Sequence, residues 1–108
     1  MTGTEIITQG VALLRAVGGK VVNFNSHRRA SVRGFVDVVW FFHDTTWLIE
    51  VKGAGDKMRE DQWQFAEDIS DHCGLHVRYK VVSSVDGFER IAREGAGVVN
   101  APLPMEIW

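Results

Sequence analysis

The sequence predicts an α/β domain with the element order α-β-β-β-α-β-α. Three observations carry this reading. Residues 35–51 form two apolar runs around a short polar break, the pattern of an antiparallel hairpin. Residues 4–17 and 58–73, on either side of it, carry apolar residues at helical spacing. A further strand, residues 77–83, follows the second helix, and a strand-helix-strand crossover is expected to be parallel and right-handed. Antiparallel and parallel pairs together give a mixed central sheet flanked by helices.

The 108 residues make one domain, with a core of about 4–94 and a tail of 95–108. The first helix, 4–17, sets Ile6, Ile7, Gly10, Leu13, Leu14 and Val17 on one side. Gly18-Gly19 end it. Thr2-Gly-Thr-Glu5 has capping-box spacing, with Thr2 as N-cap and Glu5 reaching back. Glu5 shares its face with Gln9, Ala12 and Ala16, away from the apolar stripe. Lys20–Asn25 alternates as a strand, and a basic loop leads from Ser26 to Gly34. Gly34 permits a positive φ or the close approach of another backbone. In the helix at 58–73, Phe65, Ala66, Ile69 and Cys73 share one face, with Gln62 in the middle of it. A glutamine there needs hydrogen-bond partners: backbone, or polar groups on the adjoining strands. Ser83 or Ser84 caps a last helix that runs to about Glu94 and ends at Gly95. The tail holds Pro102, Pro104 and Trp108.

Asp37, Glu50 and Lys52 interrupt the oily hairpin. With the turn centred on Asp44-Thr45, Phe42 faces Trp47, Asp37 stands opposite Lys52, and Glu50 is diagonal to Asp37. Side chains alternate faces along a strand, so the three charges share a face. Direct neighbours would then lie about 5 Å apart and diagonal ones about 7 Å. A slip of one residue would carry Asp37 to the other face. Two readings fit. The cluster is a cross-strand salt bridge, or it is a site for a hard divalent cation, with the lysine set to orient the attacking water and to neutralise charge on a phosphate.

Other features narrow the field. No apolar run approaches the roughly 20 residues that span a bilayer. The start of the chain lacks the basic region of a signal peptide, and a lone Cys73 makes no internal disulfide, so a cytoplasmic protein is expected. Charge is unevenly spread. Residues 1–33 hold five bases against one acid, net +4, residues 34–75 are net −6, and the remainder is neutral. The acid-free stretch from Arg15 to Arg33 reads either as a phosphate contact through Arg28, Arg29 and Arg33 or as a solvated loop. Gly53-Ala-Gly-Asp-Lys57 lacks the full phosphate-loop spacing. His72-Cys73-Gly-Leu-His76 supplies at most three ligands, short of the four that structural zinc takes, so no zinc is expected.

Gly34-Phe-Val-Asp37 on the second strand, Glu50-Val-Lys52 on the third and Gln62 early in the next helix resemble the motifs of the virus-type replication-repair nuclease (VRR-NUC) group. That group lies within the restriction-endonuclease-like PD-(D/E)xK superfamily. Gly74, the strand at 77–82 and the Ser-Val-Asp-Gly-Phe helix start extend the resemblance over roughly residues 5–92. Val36 stands where the family usually has Pro, and Arg59 where it often has a small capping residue.

The resemblance implies a restriction-endonuclease-like core and a metal-dependent DNA endonuclease. Asp37 and Glu50 would hold Mg²⁺ or Mn²⁺, with the backbone carbonyl of Val51 as a third ligand and Glu5 as a further candidate. Lys52 would position or activate the attacking water, and Gln62 would support the site or contact the phosphate. It also implies a homodimer acting on branched DNA such as four-way junctions, and a phage or bacterial origin. The alternatives are a catalytically silent nucleic-acid-binding module with this fold and an RNA-directed nuclease.

Overall fold

The computed structural model describes residues 1–25 and 33–97. Its elements are α1 (Gly3–Val17), β1 (Lys20–Asn23), β2 (Val38–Phe42), β3 (Thr45–Val51), α2 (Glu60–His72), β4 (Val77–Val82) and α3 (Val85–Gly95). This is the expected order. The strands form one sheet in the order β1-β2-β3-β4. The first three are antiparallel, and β4 runs parallel to β3. The sheet is therefore mixed, as the hairpin and crossover patterns require.

Each face of the sheet has its own core. On one, Ile6, Val11 and Leu14 of α1 and Phe88 and Ile91 of α3 pack against Val38, Trp40, Trp47 and Ile49. On the other, Ala66 of α2 meets Val36, Val39, Leu48, Tyr79 and Val81. Alternation along β2 and β3 thus sends Trp40, Trp47 and Ile49 one way and Val39 and Leu48 the other. Trp40 and Trp47 are Cα partners at the middle of the hairpin. The indole N–H of Trp40 donates to the Gly18 carbonyl at 2.8 Å, which ties the end of α1 to the sheet. A Cβ on Gly10 would stand 2.3 Å from the Phe88 ring, so only glycine lets α3 lie this close to α1. Full burial of a side chain such as Phe88 contributes roughly 1.5–3 kcal/mol.

The start of α1 is as the spacing predicts. Thr2 is the N-cap, its hydroxyl accepting from Glu5 N–H at 3.2 Å, while its own N–H donates to Glu5 Oε1 at 3.0 Å. The apolar stripe differs slightly from expectation, since Val11 is buried and Val17 is exposed.

Two local expectations are corrected. The hairpin pairs Phe42 with Thr45, not with Trp47. Its loop is only His43-Asp44, because the β-branched Thr45 and Thr46 extend β3 and His43 takes the positive φ (54°) that so tight a turn requires. The register thus shifts by two residues, and Asp37 lies level with Glu50 instead of Lys52. An even shift keeps every side chain on its expected face. The second correction is in α2, which begins at Glu60 with Arg59 as N-cap. Gln62 and Ala66 are its buried residues, while Cys73 is exposed. Cys73 has left the helix in an extended conformation, its N–H closing the last turn on Ile69. Arg28, Arg29 and the tail with Pro102, Pro104 and Trp108 lie outside the described residues.

Candidate active site on the second, third and fourth strands

The hairpin and the first turn of α2 converge at the open end of β2 and β3. Asp37 straddles Glu50. Its N–H donates to the carbonyl of Ile49 at 3.2 Å, and its Oδ2 accepts from Val51 N–H at 2.9 Å. β2 starts only at Val38, so this carboxylate takes the place of a ladder partner for Val51. Glu50 on β3 and Lys52 just past its end are two apart, and both reach Gln62 on the face covered by α2.

Gln62 joins these two. Its Oε1 accepts from Lys52 Nζ at 2.6 Å and from Arg59 N–H at 2.9 Å. Its Nε2 donates to Glu50 at 3.2 and 3.4 Å to the two oxygens. Lysine and a backbone N–H can only donate and a carboxylate oxygen accepts, so this orientation of the amide satisfies all of its neighbours. Glu50 is 2% exposed and Gln62 4%, which makes the bonds costly to lose. The structure brings Asp37, Glu50, Lys52 and Gln62 into one hydrogen-bonded group.

Burial pushes the Glu50 carboxyl up to about 8. The like charge of Asp37 and a hydrogen bond with it act in the same direction, while Lys52 and Arg59 oppose them. At neutral pH the Glu50 carboxyl therefore favours its protonated form. Tyr79 on β4 feels the same field. Burial first, then the charges of Glu50 and Asp37, push its phenol above the usual range. Its hydroxyl is buried and has no hydrogen-bond partner among the described residues.

The remaining candidates lie further out. The N–H of Val51 points at Asp37, whereas that of Lys52 donates to Val82 of β4 at 2.9 Å. An extended strand turns the N–H and C=O of one residue to the same edge. The Val51 carbonyl thus faces the Asp37 side. Glu5 is exposed and held in its capping box, which lowers the pKa of its carboxyl through the bonds from the Thr2 backbone and side chain. As a ligand it would have to leave that cap. Its helix does start beside the site, since a Cβ on Gly53 would stand 2.8 Å from Gly3 N. Arg33 is exposed, with its Nε 3.9 Å from Asp61. Among the described residues no group of three or more His, Cys, Asp or Glu side chains is placed to hold a metal.

Nothing in the sequence singles out Tyr79 or Trp63, and it marks Arg59 only as a departure at the cap position of α2. Parity along β4 puts Tyr79 on the face of Val77 and Val81, but only the β3–β4 register brings it beside Glu50. Trp63, next to Gln62, is 45% exposed and carries no periodic signal.

No protein-family model matches the sequence, and no curated protein matches it significantly. Among solved structures, the fold is similar to that of a VRR_NUC domain protein, with a TM-score of 0.65 over 98% of this chain and 93% of that one. Sequence identity is 11%. The chain thus has the fold of that protein, a four-stranded mixed sheet with three helices, consistent with a restriction-endonuclease-like core.

Proposed function

We propose that this protein, with the fold of a VRR_NUC domain protein, is a divalent-metal-dependent DNA endonuclease that hydrolyses phosphodiester bonds. The observation that carries the reading is the group of four: Asp37 beside Glu50, with Gln62 linking Glu50 to Lys52. A salt bridge alone accounts for it poorly. Lys52 bonds to the amide of Gln62, and the part-buried carboxyl of Asp37 adds like charge beside the buried Glu50.

The donor set fits a hard cation. It offers carboxylate oxygens, a backbone carbonyl on the same side and no soft ligand, and a cation would offset both the burial and the like charge of Asp37 that raise the Glu50 pKa. Asp37, Glu50 and the carbonyl of Val51 would hold Mg²⁺ or Mn²⁺, with Glu5 as an additional donor if its cap opens. When bound, the ion would polarise the scissile phosphate and make water more acidic.

The chain's own groups do the rest. Gln62 holds the Lys52 ammonium at 2.6 Å through one of its three N–H donors, and two donors remain for a water or a phosphate. That ammonium orients the attacking water and stabilises negative charge as the phosphorus becomes five-coordinate. Arg59 holds Gln62 through its backbone N–H and adds positive charge near Glu50. Arg33, with Arg28 and Arg29, would grip the backbone without reading bases. A two-fold homodimer would set two such sites at a fixed separation, which suits the paired strands of a four-way junction.

Cleavage of labelled single strand, duplex, flap and four-way junction tests the reading, with Mg²⁺, Mn²⁺ or chelator, for wild type, Asp37→Ala and Lys52→Ala. Metal-dependent cutting lost in both variants is expected, with the junction cut fastest. Junction binding without cutting under any metal would make the protein a silent binding module. Equal or faster cutting of matched RNA substrates would make it an RNA-directed nuclease.

A further inference from the structure

We propose that the open cavity beside Lys52 receives one unpaired nucleobase next to the cleaved phosphodiester, with the indole of Trp63 as its stacking face. The proposal rests on the reading of Lys52 as a phosphate-facing group.

The cavity is about 800 Å³, within the range of small-ligand sites, and its walls include Lys52, Lys57, Met58, Trp63, Val81 and Ser84. It is continuous with the candidate active site, because Lys52 belongs to both: its Nζ is bonded to Gln62, and it forms part of the cavity wall. A nucleotide attached to a phosphate at Lys52 would reach the cavity at once.

The lining has the chemistry of a base attached to a polyanion. Trp40 and Trp47 are buried in the core at 0% and 1% exposure, whereas Trp63 is 45% exposed, and no ring of the described residues stacks on it. Met58 adds apolar surface, and Lys52 and Lys57 supply positive charge. The carboxylate of Asp56 in the same wall is already engaged, accepting from Gly53 N–H at 3.0 Å. Ser84 is the N-cap of α3 by position, but its hydroxyl makes no bond to the helix and can serve a ligand.

A base inside a duplex shows its faces only to its neighbours in the stack. An indole fixed on a helix reaches such a face only after the base has left the stack. The cavity therefore selects DNA with an unpaired nucleotide beside the cut, as at a flap or the centre of a junction. Every base has a π-face, so the selection is by structure and not by sequence.

Binding of a fluorescent single-stranded oligothymidylate and of a fully paired duplex, in chelator, tests this for wild type, Trp63→Ala and Trp63→Phe. Trp63→Ala is expected to weaken single-strand binding by about 5- to 100-fold and to leave duplex binding unchanged, while Trp63→Phe stays within about threefold. Unchanged single-strand binding by Trp63→Ala, or an equal loss for single strand and duplex, overturns the proposal. If the Trp63 effect is present but no metal supports cutting, the stacking site stands and the nuclease reading falls.

Discussion

The backbone of Gly34 rests on that of Asp61. A Cβ on Gly34 would stand 2.2 Å from the Asp61 carbonyl oxygen and 3.0 Å from Gln62 N, and the residue has φ 75°. The loop before Asp37 and the first turn of α2 are thus held together where Gln62 enters the site. The glycine of the Gly-x-x-Asp segment joins the two halves of the candidate active site.

Gly34→Ala should therefore act twice. A left-handed alanine and a backbone clash together should cost about 2–4 kcal/mol, read as a lower urea midpoint at unchanged slope. Because the clash displaces Gln62, cleavage should fall even under conditions where the variant is fully folded.

Gln62 is expected to behave as a positioning residue. Gln62→Ala removes the acceptor for Lys52 and the donor for Glu50, and should weaken Mn²⁺ binding by roughly 10- to 100-fold, measured by calorimetry. Gln62→Glu adds a third carboxylate to the pair, so in chelator its urea midpoint should lie below that of Gln62→Ala at alkaline pH.

Glu50 gives the metal-free protein a pH dependence of definite sign. Its pKa is about 8 in the fold against an ordinary value of 4.5, so between those values the folded state binds the extra proton. Stability is then greatest below about 4.5 and is lost as pH rises towards 8, at up to about 1.4 kcal/mol per unit. Urea unfolding in chelator across this range checks it. Glu50→Gln should flatten the slope, and Asp37→Asn should move it to lower pH by removing the like charge. Metal binding displaces the same proton, so affinity should rise with pH.

The opposite face supplies a control. Arg78 lies 5.2 Å over the Trp47 ring and 3.3 Å from the buried Glu94. Glu94→Gln leaves that guanidinium without its counter-charge and should destabilise the protein by about 2–3 kcal/mol. Cleavage by the folded variant should be unchanged, since this pair faces α3 and not α2.

Much of the candidate site is legible in the sequence. Period-two alternation put Asp37, Glu50 and Lys52 on one face, and helical spacing put Gln62 on the buried stripe of the next helix. Those patterns depend on local geometry alone. They also survive an even error in register, which is why the misjudged turn at His43-Asp44 did not scatter the cluster. The capping box of Thr2 and Glu5 was readable for the same reason, as it spans three residues of one chain segment.

Pairings between distant segments were not readable. That Asp37 meets Glu50 and Val51, that Lys52 bonds to Gln62 and that Tyr79 shares their field depend on where strands and helices settle against one another. Local pattern assigns each of these residues to a face. Which of them touch follows from packing, because close packing sets the distances between segments and no local pattern encodes them.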